Sequence, residues 1–437
     1  MIRLSIIYLI FLVTVSCNNS SSQDKNDKFS DWALKNSKEI TTLEITEKQD
    51  DLKFLNKIVG EAEVVCLGES RHDIHEQFKL KHRFIKYLIE EMDFTTFALE
   101  ASLPYSNKIN DYILNGNGNI DELMSNMPGW FLWDTQEMKN ILIWLYEYNK
   151  KQEVGNKVNF YGIDIVAPNN ALEQIFEYLQ KVDEDYYNKI QDSNFARNLI
   201  NDNQWQISLQ NYSQLSVEER QTIINNYNEL FQHIKQSRIR FIANSSEKEY
   251  DWILQLSYSA NEANKMFSET DRIKMGLIRD NAMADISLWI KEKNKKIIIW
   301  AHNVHLAKSE FKMNMFPETQ LQGMGYILSR ELKDEMISIG ASFNQGEFQN
   351  ENRIFEPAAP NTLDGAFANF KMDYFILNFN GQTENETVEK WLNADNVIRG
   401  QEFEMTCIPK KSFDAMFFTN TISKVKYNPT TLERLRN

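Results

Sequence analysis

The sequence predicts an α/β fold, in which a mainly parallel central sheet is flanked by helices and interrupted by a large all-helical insertion. Three observations predict it. Seven short apolar runs have the composition of buried strands. An amphipathic helical pattern separates the first two runs, as in a βαβ unit. Residues 163–275 contain no glycine and only one proline, Pro168, which favours a series of helices.

The predicted strands are continuous apolar runs rather than alternating ones. Continuous runs are typical of parallel strands whose two faces are both buried. The runs occupy residues 63–67, 95–99, 158–161, 297–301, 336–339, 374–377 and 415–418.

The first core helix is predicted between the strands at 63–67 and 95–99. Apolar residues recur there at helical spacing from Ile74 to Met92. Asp73 followed by Glu76 has the pattern of a capping box, so we expect the helix to begin at that point.

The helical insertion is predicted to divide the core into two parts. The first part covers residues 30–165, the insertion 166–290 and the second part 291–437. Ser216 with Glu219 marks one helix start inside the insertion. A crossover between parallel strands needs only one helix, so an insertion of this length is expected to cover the active site.

The N-terminus has the pattern of a targeting signal. Residues 1–16 begin with Arg3 and continue as an apolar stretch too short to span a bilayer. The stretch ends at Cys17 in a sequence that resembles a bacterial lipobox, which implies cleavage before Cys17 and its lipidation. Residues 17–29 are polar and are expected to be a flexible tether. This predicts a lipid-anchored protein of the bacterial cell envelope, with its soluble body in the periplasm or at the cell surface. The alternatives are a plain signal peptide and a cytoplasmic protein with an apolar start.

The charge and cysteine content exclude some classes of protein. Acidic residues number 62 against 48 basic ones, and the net charge of −14 argues against nucleic acid as a partner. Three cysteines cannot form a disulfide framework. Cys66 lies in an apolar run and is expected to be a buried reduced thiol, although a Cys66–Cys407 disulfide is the alternative in an oxidising envelope.

Titratable residues follow four of the predicted strands directly. In chain order they are Glu69 with His72, Glu100, Asp164, and His302 with His305. The carboxyl ends of parallel strands share one edge of a sheet, where α/β proteins place their sites. Any one of these residues could simply begin a polar loop, but the same pattern at four strands favours a functional cluster.

This cluster supports two kinds of chemistry. His72 can act as a general base near neutral pH, with Glu69 or Glu100 holding its tautomer. Alternatively, the spacings Glu69-x-x-His72 and His302-x-x-His305 would suit ligands of a divalent ion, although neither is a strong zinc signature. The chain contains no GxSxG elbow, Walker A loop or GxGxxG fingerprint, so a serine hydrolase, an NTPase and a dinucleotide enzyme each lack their usual motif.

Five short blocks resemble, in order and spacing, those of the erythromycin esterase family. The blocks are LGESRH at 67–72, FALEAS at 97–102, FYGID at 160–164, RDNAMA at 279–284 and WAHNVH at 300–305. They extend over about residues 50–345. The chain therefore resembles a bacterial lipoprotein member of that family.

The resemblance implies an α/β enzyme that hydrolyses an ester or lactone by activating water, with no covalent serine intermediate. We expect no cofactor, with a divalent metal ion as the alternative. The residues that match the family's active-site positions are Glu69, His72, Glu100, His302 and His305. The family also has a functional arginine in the helix after its first motif, where this chain has Lys81. Its usual Thr-His-Gly is here Arg71-His72-Asp73. We expect Lys81, Asp164 and Arg71 to contact the substrate.

The leading prediction is therefore a lipid-anchored hydrolase of a small-molecule ester, with macrolides among the candidate substrates. His72 is expected to activate water, and Glu69 and Glu100 to orient the histidines. His302 and His305 are expected to bind the developing oxyanion or to relay a proton. The alternatives are a metal-dependent hydrolase that uses the same residues and a non-catalytic ligand-binding lipoprotein.

Overall fold

The computed structural model of the chain describes residues 20–45, 48–130, 132–195, 199–348, 354–401, 403–429 and 431. The predicted signal segment and the lipidation site Cys17 lie outside these residues. Among the helices of the described residues, none has the combined length and apolar character needed to span a bilayer.

A large sheet forms the centre of the fold. The strands of the described residues are β1 (Ser37–Glu39), β2 (Val64–Glu69), β3 (Thr96–Ser102), β4 (Asn159–Asp164), β5 (Ile297–His302), β6 (Phe311–Met313), β7 (Phe316–Leu321), β8 (Met336–Glu347), β9 (Ile354–Phe355), β10 (Tyr374–Asn378), β11 (Asn396–Arg399), β12 (Glu404–Cys407) and β13 (Ala415–Ile422). The main sheet has the order β1, β10, β13, β8, β2, β5, β3 and β4, and β9 pairs with β8.

The mainly parallel sheet predicted from the sequence is confirmed, and each of the seven apolar runs lies in one of its strands to within one residue. Neighbouring strands from β13 across to β4 are parallel. At the other edge, β10 runs antiparallel to β13 and β1 antiparallel to β10. The short β1 was not predicted, because three residues with a single buried side chain carry no strand pattern.

A second, antiparallel sheet with the order β11, β12, β6 and β7 was also not predicted. Its strands have three to six residues. They do not form continuous apolar runs, and β7 contains Pro317. Proline normally argues against a strand unless the strand lies at an edge, and β7 is an edge strand.

Helices cover both faces of the main sheet. They are α1 (Ser20–Asn36), α2 (Leu55–Val59), α3 (His75–Met92), α4 (Leu103–Asn115), α5 (Ile120–Asn126), α6 (Gln136–Asn149), α7 (Asn169–Val182), α8 (Glu184–Ile190), α9 (Trp205–Ser213), α10 (Val217–Gln236), α11 (Arg238–Asn244), α12 (Glu247–Ser268), α13 (Arg272–Lys293), α14 (Asn303–Leu306), α15 (Met324–Leu332), α16 (Leu363–Ala368), α17 (Glu386–Leu392) and α18 (Pro409–Ser412). Helices α7 to α13 all lie between β4 and β5, where the sequence predicted the insertion.

Local capping signals had different outcomes at two helices. Ser216 and Glu219 form a reciprocal capping box at the start of α10, as predicted. The capping box predicted at Asp73 is wrong, because α3 begins at His75 and its N-terminal cap is Ile74. The Asp73 carboxylate accepts hydrogen bonds from Arg71 instead.

The segment expected to be a flexible tether is helical from Ser20 onwards, since α1 covers Ser20–Asn36. Phe29, Trp32 and Ala33 follow the i, i+3, i+4 spacing of a buried helix face, and all three are buried. The Phe29 ring stacks on Trp391 of α17, with 3.5 Å between the ring centroids. Burial of this face offsets the conformational entropy that the segment loses when it becomes a helix instead of a flexible tether.

Side chains of the central strands alternate between two hydrophobic cores. On β2, Val65 and Leu67 pack into the core on one face, and Val64 and Cys66 into the core on the other. Cys66 and Cys407 are both buried free thiols, so the predicted reduced state of Cys66 is confirmed. Burial raises the pKa of the Cys66 thiol.

We predict that Phe29→Ala lowers the free energy of unfolding by about 3 kcal/mol, because the fully buried ring leaves a cavity under α1. The measurement is urea unfolding at equilibrium. Leu34→Ala is the matched control on the same helix, since Leu34 is 46% exposed and its loss should change the free energy by less than about 0.5 kcal/mol. Equal stability of the two variants would mean that α1 is not anchored through Phe29.

Candidate active site

The carboxyl ends of four adjacent parallel strands bring the predicted residues to one edge of the main sheet. Glu69 at the end of β2 lies in register with His302 at the end of β5. Asp164 ends β4, opposite Ser102 of β3, and Glu100 precedes Ser102 by two residues. The clustering predicted from the shared carboxyl edge of the parallel strands is therefore observed.

Glu69 is a fully buried carboxylate with a partner at each oxygen. Oε2 accepts hydrogen bonds from Lys81 Nζ at 2.7 Å and from Trp300 Nε1 at 2.6 Å. Oε1 lies 2.5 Å from His72 Nδ1. Burial alone would raise the pKa of this carboxyl, but the charges of Lys81 and His72 and their hydrogen bonds lower it to about 2. Glu69 is therefore ionised at neutral pH.

His72 is held by Glu69 at one ring nitrogen and leaves the other free. Its Nδ1 donates to Glu69, and Nε2 has no hydrogen-bond partner among the described residues. The ring packs edge-on against Trp133 and its side chain is 15% exposed. Burial lowers the pKa of His72, but the Glu69 carboxylate outweighs burial, so the pKa is raised above its ordinary value.

His302 is a neutral imidazole that supports the loop carrying His72. Its Nε2–H donates to the backbone carbonyl of Ser70 at 2.6 Å. Its Nδ1 accepts from the backbone N–H of Val304 at 3.4 Å, at the start of α14. Burial and the nearby His72 lower the pKa of His302 to about 3. Both ring nitrogens are thus engaged by the backbone.

Glu100, on β3, is held by partners from the insertion and from β5. Its Oε1 accepts from Arg279 Nη2 at 2.7 Å, and its Oε2 accepts from the backbone N–H of His302 at 2.8 Å. His305 Nε2 lies 3.3 Å from Oε1. Burial opposes ionisation, but the positive charges of His305 and Arg279 hold the pKa of Glu100 well below its usual range.

Arg279, from helix α13 of the insertion, connects two strand ends. Its Nε and Nη2 donate to Asp164 in a bidentate pair at 3.0 and 2.7 Å, while Nη2 also reaches Glu100. Burial lowers the pKa of the guanidinium, but Asp164 and Glu100 raise it overall. Arg279 is 20% exposed, so part of it faces the cavity.

His305 forms a second histidine–carboxylate pair beside Arg279. Its Nδ1 donates to Asp280 Oδ1 at 2.7 Å, and Asp280 is fixed in turn by the backbone N–H of Met324. Burial lowers the pKa of His305, but Asp280 and Glu100 on either side of the ring raise it to about 10. Arg279 Nη2 and His305 Nε2 both contact Glu100 Oε1, at 2.7 and 3.3 Å, so the two cations share that carboxylate.

The charges of the cluster balance when both paired histidines carry a proton. The carboxylates are Glu69, Glu100, Asp164 and Asp280, and the cations are Lys81, Arg279, His72 and His305. Loss of the proton from His72 therefore leaves one negative charge uncompensated, which is the physical reason for its raised pKa.

Two residues expected to contact the substrate lie behind the site. Lys81 is fully buried, with its ammonium on Glu69 and 3.6 Å from the centre of the Trp300 ring. Arg71 is 2% exposed, pairs with Asp73 and lies over the Phe348 ring. Neither residue lines the cavity, so both support the site from behind. Asp164 does line the cavity, beside Arg279.

The cavity in front of these residues has a volume of about 440 Å³. One part of its wall comes from the strand ends, and another from the insertion, at the start of α9 and on α13. The lining residues are His72, Glu100, Ala101, Ser102, Gly129, Leu132, Trp133, Asp164, Val166, Asp202, Asn203, Trp205, Gln206, Arg279, His302, Val304, His305, Gln401 and Phe403.

Residues important to this geometry were missed as site residues from the sequence. Arg279 and Asp280 lie within one of the family-like blocks, and their place in that block was the available signal. Trp300 lies in an apolar strand, where only its indole N–H distinguishes it from a core residue. Trp133 donates to the Glu100 backbone carbonyl from a loop that carries no pattern.

The cluster does not fit a divalent metal ion. Glu69, His72 and Glu100 do place potential ligand atoms within 4.8 Å of one another. However, Lys81 and Arg279 already neutralise the two carboxylates through direct hydrogen bonds. A metal bound to these oxygens would lie beside a buried ammonium and a guanidinium, which would repel it.

Comparison with known proteins places the chain in a family. The family model for erythromycin esterase matches residues 89–422. Erythromycin esterase type II of Escherichia coli is 25% identical over 414 residues, which cover 87% of this chain and 95% of that protein. The putative hydrolase YbfO of Bacillus subtilis (strain 168) is 24% identical over 457 residues, covering 97% and 98%.

The fold of the chain agrees with that of a solved erythromycin esterase structure. An erythromycin esterase mutant in its open conformation superimposes with a TM-score of 0.72 at 17% identity, over 90% of this chain and 99% of that one. At this identity the likeness shows the fold alone. Since the family model matches most of the sequence, the chain belongs to the erythromycin esterase family.

Proposed function

We propose that this protein hydrolyses an ester or lactone bond by activating water, with His72 as the general base. The observation that carries the proposal is the His72–Glu69 pair, in which Nδ1 is fixed by a buried carboxylate and Nε2 is left free at the cavity. A histidine held in this way can accept a proton from water while the carboxylate stabilises the imidazolium that forms.

In the proposed reaction, neutral His72 takes a proton from water and the hydroxide adds to the substrate carbonyl. The tetrahedral oxyanion is stabilised by Arg279, whose partly exposed guanidinium faces the same cavity, and by the cationic His305 beside it. As the intermediate collapses, the His72 imidazolium returns its proton to the leaving alkoxide. The products are an alcohol and a carboxylic acid, which releases its proton to water to become a carboxylate. For a lactone both groups remain on one opened chain.

His302 has a different role in this proposal from the one expected from the sequence. Its Nε2 proton is donated to Ser70 and its low pKa keeps it neutral, so it carries no charge for an oxyanion and no proton for a relay. We assign it the task of positioning the backbone that presents His72.

The relatives support a substrate class without fixing the substrate. Because proteins named erythromycin esterase are about a quarter identical to this chain, macrolide lactones are the first substrates to test, followed by simple esters. We also propose that the protein is anchored to the cell envelope through a lipid on Cys17, as the lipobox-like sequence implies.

We predict that His72→Ala lowers kcat/KM for any accepted ester by about 10²-fold or more, because the general base is lost. Steady-state hydrolysis across a panel of macrolides and activated esters provides the measurement. His233→Ala is the matched control, since this histidine lies on α10 in the insertion and pairs with Asp183.

Three results would count against the proposal. Undiminished hydrolysis by His72→Ala would remove His72 from the reaction. Loss of hydrolysis on dialysis against a chelator, with recovery on adding metal, would favour the metal-dependent alternative. A folded wild-type protein that turns over none of the panel would favour a ligand-binding role.

We predict that Glu69→Gln and Lys81→Met shift the pH dependence of kcat/KM in opposite directions. Only the neutral imidazole of His72 is active, and the pKa of this residue is raised. We therefore expect kcat/KM to increase with pH, with the midpoint of the increase above the ordinary pKa of histidine. Glu69→Gln removes the negative charge and should move this acidic limb to lower pH by about one unit, while Lys81→Met removes the positive charge and should move it to higher pH.

The measurement is the pH profile of kcat/KM for the wild type and both variants, with thermal unfolding as the check on folding. A purely structural role for Glu69 and Lys81 would lower activity without moving the limb. Shifts in the same direction for both variants would contradict the assignment of this limb to His72.

We predict that Cys17→Ser moves the protein from the membrane fraction to the soluble fraction, because the residue that carries the lipid is lost. Fractionation of cells followed by immunodetection tests this. Cys407→Ser is the matched control, since this buried thiol lies far along the chain from the signal segment. Continued membrane association of Cys17→Ser would reject lipid anchoring.

A further inference from the structure

A second cavity, of about 630 Å³, lies apart from the active site and takes no part in the proposed hydrolysis. It is bordered by the outer edge of β4, by α4, and by the insertion helices α7, α12 and α13. We call it the edge cleft. Its wall includes Phe160, Tyr161, Trp252 and Trp289 together with the amides Asn107 and Gln174.

Aromatic rings form one wall of the edge cleft. Trp252 and Trp289 have ring centroids 6.4 Å apart and planes inclined by 42°, and Tyr161 meets Trp289 edge-on at 5.8 Å. All three rings are only partly buried. The Trp252 indole N–H donates to Gln174 Oε1 at 3.0 Å, which fixes the orientation of that ring. The wall therefore presents rigid apolar faces to the cleft.

The polar groups beside this wall include an acceptor without a donor. Asn107 Nδ2 donates to Gln174 Oε1 at 3.1 Å, so the same amide oxygen holds both Asn107 and Trp252. The other amide atom of Asn107, Oδ1, is buried and has no hydrogen-bond partner among the described residues. Leaving a buried acceptor unpaired is unfavourable, so a rotation of the Asn107 side chain that brings Oδ1 to a ligand hydroxyl would be favoured.

The charged residues of the edge cleft mostly neutralise one another. Lys293 pairs with Asp251 at 2.5 Å, and Glu247 pairs with Arg238 at 2.6 Å. The exposed Lys248 is the remaining charged residue of the lining. The lining itself holds two acidic and two basic residues, so its formal net charge is zero. This gives an anionic or cationic ligand little electrostatic advantage and favours a neutral one.

We propose that the edge cleft binds a neutral saccharide. A sugar ring has apolar C–H faces that stack on aromatic rings and hydroxyls that donate to amide oxygens, which is the combination that this wall offers. The volume lies within the usual range for small-molecule sites. The proposal is independent of the esterase reaction, because no residue of this wall lines the catalytic cavity.

The test is isothermal titration of the full protein with the neutral trisaccharides maltotriose, cellotriose and chitotriose, and with trigalacturonate as the charged comparison. At least one neutral trisaccharide should bind at millimolar or lower concentration, and more tightly than trigalacturonate. Trp252→Ala should weaken that binding about fivefold or more, and Trp252→Phe, which keeps an aromatic face, should weaken it less. Trp205→Ala is the matched control, since Trp205 is an exposed tryptophan of the other cavity.

Several outcomes would overturn the proposal. The first is that no neutral trisaccharide binds the wild type. The second is that a folded Trp252→Ala variant binds as tightly as the wild type. The third is that binding is lost in Trp205→Ala alone. Should Trp252→Ala fail to unfold cooperatively on heating, Asn107→Ala becomes the deciding variant. It removes the unpaired acceptor while keeping the aromatic wall, and unchanged binding by this variant would then reject the site.

Discussion

The buried carboxylate of Glu69 is the constraint on which the active site depends. Transfer of a carboxylate out of water is unfavourable unless charged and hydrogen-bonding partners compensate it. Here the partners come from three parts of the fold: Lys81 from α3, Trp300 from β5 and His72 from the loop after β2. The carboxylate is compensated only when the helix, the neighbouring strand and the loop are all in place. The geometry of His72 is thereby tied to the packing of the core.

This arrangement also explains how Lys81 can serve where the resemblance implies an arginine. A guanidinium would offer a planar pair of donors, but one oxygen of Glu69 is already occupied by His72 and the other also accepts from Trp300. What Glu69 still requires is one positive charge close to its Oε2 atom, and a lysine ammonium provides it. Burial lowers the pKa of Lys81 to about 8, while Glu69 opposes that decrease, so the ammonium is still mostly protonated at neutral pH.

The strands of the parallel sheet and the residues at their ends could be predicted because both depend on local sequence. A continuous apolar run identifies a strand buried on both faces, and parallel topology then places Glu69, Glu100, Asp164 and His302 at one edge. Which of them contact each other could not be predicted, since strand order is set by long-range packing. Helix α1 was missed because the apolar pattern that begins at Phe29 is preceded by a long polar segment.

The helical insertion does more than cover the site, because it supplies Arg279. Without that guanidinium, Glu100 and Asp164 would be two buried carboxylates close together, with His305 as the nearest cation. The same helix supplies Asp280, which holds the ring of His305. The sheet therefore provides an excess of negative charge at its edge, and the insertion both compensates that charge and orients the second histidine. It follows that the insertion and the sheet edge are electrostatically interdependent, and that neither half forms a complete site alone.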